Sequence, residues 1–222
     1  MYWERQRGDL CRLHSLNAFF GRNEISEQQF KLYCDQYDKV VPGLETKSMD
    51  GFSGGRCIIN WILHNRGFHT ILIPINKYNS RDNINVDYYK NLLKSSYVHD
   101  VFEFNPNHVW LNKKKNNIWH KLDSMSGCNP TDIKLGNNGY IIVFDNIKNT
   151  SKQLDFYISE IKKQDEIYSE KTEVLWYNFS YAIALVKTNN KVVNNIKQLT
   201  KLFLEKKEKK KYCEQILHLI KN

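Results

Sequence analysis

The order of its periodicities constrains this chain most: apolar residues recur at helical spacing through the first third and alternate at strand spacing through much of the remainder. Leu13, Leu16 and Phe20 form one helical stripe, closed by the break Gly21-Arg22-Asn23. Ser26 stands where a helix cap is expected ahead of Phe30, Tyr33 and Tyr37, and Pro42-Gly43 ends that region. Ile58, Ile59, Ile62 and Leu63 predict a core-facing helix, Thr70 to Pro74 a strand, and residues 88–93 a helix inside an Asn- and Lys-rich stretch. Residues 108–112 and 118–123 alternate as strands joined by Lys114-Lys115-Asn116-Asn117, a hairpin signal. Strands at 140–144 and 179–186 flank a charged helix near 154–167. Helices first and strands later, with no repeat period, predict an α+β domain whose helical N-terminal part packs on an antiparallel sheet, not alternating βαβ units.

At 222 residues, 41% of them hydrophobic, the chain suits one substantial core or one domain with an appendage. Cysteines at 11, 34, 57, 128 and 213 make neither a paired framework nor a CxxC metal spacing, which predicts a reducing compartment and at least one free thiol. No metal or cofactor is implied. No apolar run approaches the roughly 18 residues that span a bilayer, and Met1-Tyr2-Trp3-Glu4-Arg5 lacks a signal-peptide core. The expected location is therefore intracellular, cytoplasmic or nuclear, with no transmembrane segment. Gly51-Phe52-Ser53-Gly54-Gly55 lacks the GxxxxGK[ST] phosphate-loop pattern and reads as a hinge or turn.

The net charge of +9 is unevenly placed, because nine lysines and three glutamates between Thr188 and Asn222 contribute +6 of it. The basic balance is mostly a property of this tail and is weak support for nucleic-acid binding by the main domain. Residues 1–187 are expected to form the main domain and 188–222 a basic, partly helical tail, either simply solvated or used for nuclear targeting or contact with an anionic partner, a membrane surface or RNA.

Cys11 opens the first helix, where partial positive charge and unpaired N–H groups favour thiolate over thiol, and Gln6 lies five residues before it. A cysteine nucleophile needs a base and an orienter from elsewhere in the fold. His14 shares the helix with Cys11, which leaves little room for a carbonyl between them, so a packing or polar-network role is expected for it. A hairpin turn centred between Lys115 and Asn116 places His108 directly opposite Asp123, where a carboxylate accepts the imidazole N–H and fixes its tautomer. Taken alone, such a pair is equally a surface cross-strand contact.

Glu4-Arg5-Gln6, then Leu10-Cys11 and His14-Ser15-Leu16-Asn17, resembles the opening of the Josephin family of cysteine deubiquitinases. Ser48-Met49-Asp50-Gly51-Phe52 with the helix after it is similar to that family's second block, and His108 followed by Trp119-His120-Lys121-Leu122-Asp123-Ser124 to its third. The resemblance spans about residues 1 to 187, in three blocks in the right order. It implies a papain-like cysteine protease fold and hydrolysis of isopeptide bonds at the ubiquitin C-terminus. It also implies roles: Cys11 as nucleophile, His108 as general base and acid, Asp123 as orienter and Gln6 as oxyanion donor. Ubiquitin and ubiquitinated proteins are the implied partners; a catalytically weak ubiquitin-binding adaptor is the alternative. The chain carries Asp123 where ataxin-type members have Asn and other Josephin proteins have Asp; Val109 follows His108 where an aromatic is usual, with Trp110 next; and the segment between the second helix and Met49 is shorter than the long helical arm of ataxin-type members.

Overall fold

The computed structural model describes residues 1–40, 56–73, 86–133, 135, 138–144 and 159. Along the chain run α1 (Cys11–Phe20), α2 (Glu27–Val40), α3 (Arg56–Asn65), β1 (His69–Ile73), α4 (Val86–Lys94), β2 (Val98–Phe104), β3 (Val109–Lys115), β4 (Ile118–Asp123), β5 (Gly127–Pro130) and β6 (Gly139–Phe144). The six strands form one sheet in the order β1-β6-β2-β3-β4-β5, antiparallel at β6-β2, β2-β3, β3-β4 and β4-β5. This is the α+β class expected of helices followed by strands. Residues 1–59 and 70–145 make up one compact unit, and 60–69 with 146–222 a second.

Each helix stops and starts where its side chains allow. Gly21 takes a left-handed conformation at φ 75°, which costs a glycine little, and its N–H and that of Arg22 return to the carbonyls of Ala18 and Asn17. Ser26 Oγ accepts the Gln29 N–H while Gln29 Oε1 accepts the Ser26 N–H, a reciprocal cap that starts α2. Phe30, Cys34 and Tyr37 carry the buried side of α2, with Tyr33 only partly covered. Among the described residues no helix is long and apolar enough to cross a membrane.

The β3-β4 hairpin differs from the expected register. Its pairs run from Leu111↔Leu122 to Lys115↔Ile118, so the turn centres on Asn116-Asn117 and not one residue earlier. Both asparagines have positive φ, 52° and 62°, as a two-residue hairpin turn of the twist-matching type requires and as asparagine tolerates better than most residues. Moving the centre by one residue moves each partner by two, which leaves every side chain on its original face. Continuing the register puts Asp123 across from Trp110, with His108 two positions further along that face.

Two strands, β2 and β5, have no counterpart in the sequence reading. In β2 the polar Asp100 and Glu103 are buried along with their apolar neighbours, so alternation is blurred. The expected strand at 179–186, the tail and the proposed boundary near Lys187 lie outside the described residues, as does the Gly51 to Gly55 segment; of the helix near 154–167 only Ser159 is described, as helical.

Candidate active site

Cys11 is the first residue of α1, so its backbone N–H is among those a helix leaves unpaired at its start. The helix is anchored to the sheet by Ser15 Oγ, which donates to the Val109 carbonyl at 3.2 Å, and by Lys113 Nζ, which donates to the Phe19 carbonyl at 2.8 Å. Phe19 packs against Phe102 on the same side of the sheet. These contacts set the mouth of α1 beside the start of β3, where His108 sits.

His108 Nε2 lies 2.8 Å from Asp123 Oδ1, and both side chains are largely buried. The pairing survives the register correction because the two residues share a face and meet diagonally. Asp123 Oδ1 also accepts the Met125 N–H at 2.9 Å, and Oδ2 lies 3.0 Å from Lys121 Nζ. Burial alone would raise the Asp123 pKa, but the hydrogen bond with His108, the Met125 N–H and the Lys121 ammonium together hold it well below the usual carboxylate range. The bond to Asp123 first, then the hydrogen bond with Cys11, push His108 up to about 9 against the opposing effect of burial. With Nε2 engaged by the carboxylate, Nδ1 is the ring nitrogen left for the thiol.

Burial likewise pushes the Cys11 thiol up, yet the hydrogen bond with His108, the Arg12 charge and the Val109 backbone outweigh it, so its pKa falls below the ordinary value. Arg12 Nη1 stands 3.9 Å from the sulfur. A lowered thiol beside a raised imidazole is a shift toward the thiolate–imidazolium pair.

The N-terminal segment is tied to this end of the sheet. Trp3 Nε1 donates to the Asp123 carbonyl at 2.6 Å, and the Gln6 N–H donates to the Ser124 carbonyl at 2.9 Å. Ser124 Oγ donates to Gln6 Oε1 at 2.9 Å, while Gln6 Nε2 donates to the Gly8 carbonyl at 2.8 Å, leaving its second N–H without a partner among the described residues. Gln6 is thus fastened next to the His108–Asp123 pair.

His14 has the polar-network place expected of it. Its Nε2 accepts the Arg7 N–H at 3.2 Å, which leaves the ring proton on Nδ1, 3.1 Å from Glu4 Oε1, and the same Glu4 oxygen accepts from Asn17 Nδ2. Trp110 was the unexpected aromatic of the sequence, displaced by Val109 from the position after His108. Strand alternation returns it to the His108 face, where the rings stack at 5.9 Å between centroids and 30° between planes. Arg12 was not singled out from sequence, and Lys121 and Ser124 stand in the third block without a role assigned to them; Lys121 carried a signal in its i, i+2 spacing from Asp123 on one strand. Among the described residues no group of three or more His, Cys, Asp or Glu side chains is arranged to hold a metal ion.

A scan against protein-family models finds no match for this chain, and a search of the curated proteins finds none.

Proposed function

We propose that this chain is a cysteine deubiquitinase of the Josephin type, with a papain-like arrangement of its α+β fold, that hydrolyses isopeptide bonds at the ubiquitin C-terminus through a thioester on Cys11. The observation that carries the reading is the line from Cys11 through His108 to Asp123, with the thiol lowered and the imidazole raised to about 9. The ubiquitin substrate rests on the sequence resemblance.

In this reading the Cys11 thiolate adds to the carbonyl carbon of ubiquitin's terminal glycine. The oxyanion that forms is met by the Cys11 backbone N–H and the second Gln6 N–H. His108 gives its Nδ1 proton to the departing lysine amine as the C–N bond breaks, leaving an acyl thioester. Water then gives one proton to His108 as its oxygen attacks the thioester; the C–S bond breaks, restoring the ion pair, and the ubiquitin carboxylic acid loses its remaining proton to solvent. Asp123 holds the ring with Nδ1 toward the sulfur and stabilises its charge.

A ubiquitin-binding adaptor accounts for the resemblance but has no use for a lowered thiol facing a raised imidazole. An anionic surface or RNA as partner for the tail rests on its charge alone. Turnover of a ubiquitin–fluorophore conjugate tests the activity: hydrolysis abolished by Cys11→Ala supports it, and binding of ubiquitin with no hydrolysis would favour the adaptor.

A further inference from the structure

Glu103 lies on β2 directly across from Trp110 and is 9% exposed. Its carboxyl group collects three N–H donors: Trp110 Nε1 at 3.1 Å and Asn112 Nδ2 at 2.9 Å on Oε2, and Asn138 Nδ2 at 2.7 Å on Oε1. A buried carboxyl group is costly unless fully satisfied, and an apolar side chain fills such a site at less cost. What a carboxyl group adds here is direction, because it fixes the plane of an indole that touches the reactive histidine.

Apart from its hydrogen bond with Cys11, His108 is held by one hydrogen bond at Nε2, about which the ring can pivot, since the second side-chain torsion of histidine has only broad, shallow preferences. A small pivot carries Nδ1 away from Cys11. The stacked face of Trp110 blocks the pivot on one side. Lys121 Nζ sits 4.2 Å from the centroid of the same indole and 3.0 Å from Asp123 Oδ2, so the indole also seats the ammonium that holds the carboxylate.

We infer that Glu103 is a positioning residue of this site: by fixing the indole of Trp110 it keeps the His108 ring in the plane that meets Cys11. The inference rests on the reading of Cys11 and His108 as the reactive pair, but it does not depend on ubiquitin.

Alkylation of Cys11 by iodoacetamide reports on the pair directly, since this small electrophile needs neither the oxyanion donors nor a substrate groove. Its rate is measured against pH on the full chain, with the Cys11 peptide followed by mass spectrometry. Wild type should react with a midpoint below the ordinary thiol value of about 8.5. Glu103→Met, which removes the acceptors at similar length, should move the midpoint up by about one unit and slow the reaction by up to about tenfold at pH values below the wild-type midpoint. Glu103→Gln, which keeps an acceptor oxygen for the indole N–H, should restore most of the rate. Trp110→Phe should behave like Glu103→Met, and it decides the matter if Glu103→Met fails to fold. A folded Glu103→Met or Trp110→Phe chain with the wild-type midpoint would overturn the positioning role while leaving the Cys11–His108 pair intact. An ordinary thiol midpoint in wild type would overturn the pair itself, and the positioning role with it.

Discussion

At the scale of single residues the site divides by what each side chain must do. The sequence singles out Cys11 at a helix start with Gln6 five residues before it, and His108 facing Asp123; the structure shows the His108–Asp123 contact and the tie of Gln6 to Ser124, while the catalytic roles are those that the resemblance implies. Arg12, Lys121 and Glu103 were not legible, because a charged residue on a strand or helix reads the same whether it faces solvent or a partner. Because an amide oxygen and a carboxylate can each accept from His108, Asp123→Asn should retain measurable turnover of a ubiquitin conjugate, whereas Asp123→Ala should lose far more and His108→Ala nearly all. Equal rates in the three variants would sink the paired-strand account. Gln6→Ala should lower kcat by about 10²–10³ if its free N–H meets the oxyanion. The pH profile should have an alkaline limb near 9, where His108 gives up the proton that the leaving amine requires; a rate still climbing at pH 10 would contradict this.

Between residue and molecule stand the elements, and here legibility followed the contrast between apolar and polar positions. The helices α2 and α3 and the hairpin were readable because each has an apolar side or alternation, whereas α1 buries polar His14, Ser15 and Asn17 with its apolar residues and was marked by Leu13, Leu16 and the break at Gly21. β2 was hidden by Asp100, buried beside Lys113 at 3.4 Å, and by Glu103, since buried charge defeats a pattern based on polarity. The turn was placed one residue early because Lys-Asn and Asn-Asn both resemble turn centres; only left-handed φ at residues 116 and 117 distinguishes them. Asn117→Val should therefore cost about 1–3 kcal/mol by placing a β-branched residue in that conformation. Asn117→Gly should be neutral or slightly stabilising, as read from denaturant midpoints. Gly139 pairs with Phe104, whose ring occupies the place where a Cβ would stand. Gly139→Ala must displace that ring and should cost about 1–3 kcal/mol; an unchanged midpoint would show that the ring moves freely.

For the molecule as a whole, composition located the excess charge in the tail but said nothing of the histidines that the fold buries. Burial, then repulsion from His69, holds His64 well below its ordinary pKa, and burial lowers His69 to about 4. Between pH 6.5 and 4 the unfolded chain takes up protons that these residues refuse when folded, so stability falls with pH across that window, by up to roughly 3 kcal/mol for His69. The chemical midpoint should drop between pH 7 and pH 4.5, and His69→Gln should flatten the drop; a wild-type midpoint that does not change would contradict the burial account. The central claim, a ubiquitin-directed thiolate at Cys11, is tested most directly by covalent capture. Full-length protein is incubated with ubiquitin bearing a C-terminal electrophile, and the adduct is mapped by mass spectrometry. The account predicts one ubiquitin per chain, attached at Cys11, lost in Cys11→Ala and strongly reduced in His108→Ala. No adduct, or an adduct at Cys34, Cys57 or Cys128 that persists in Cys11→Ala, would contradict it.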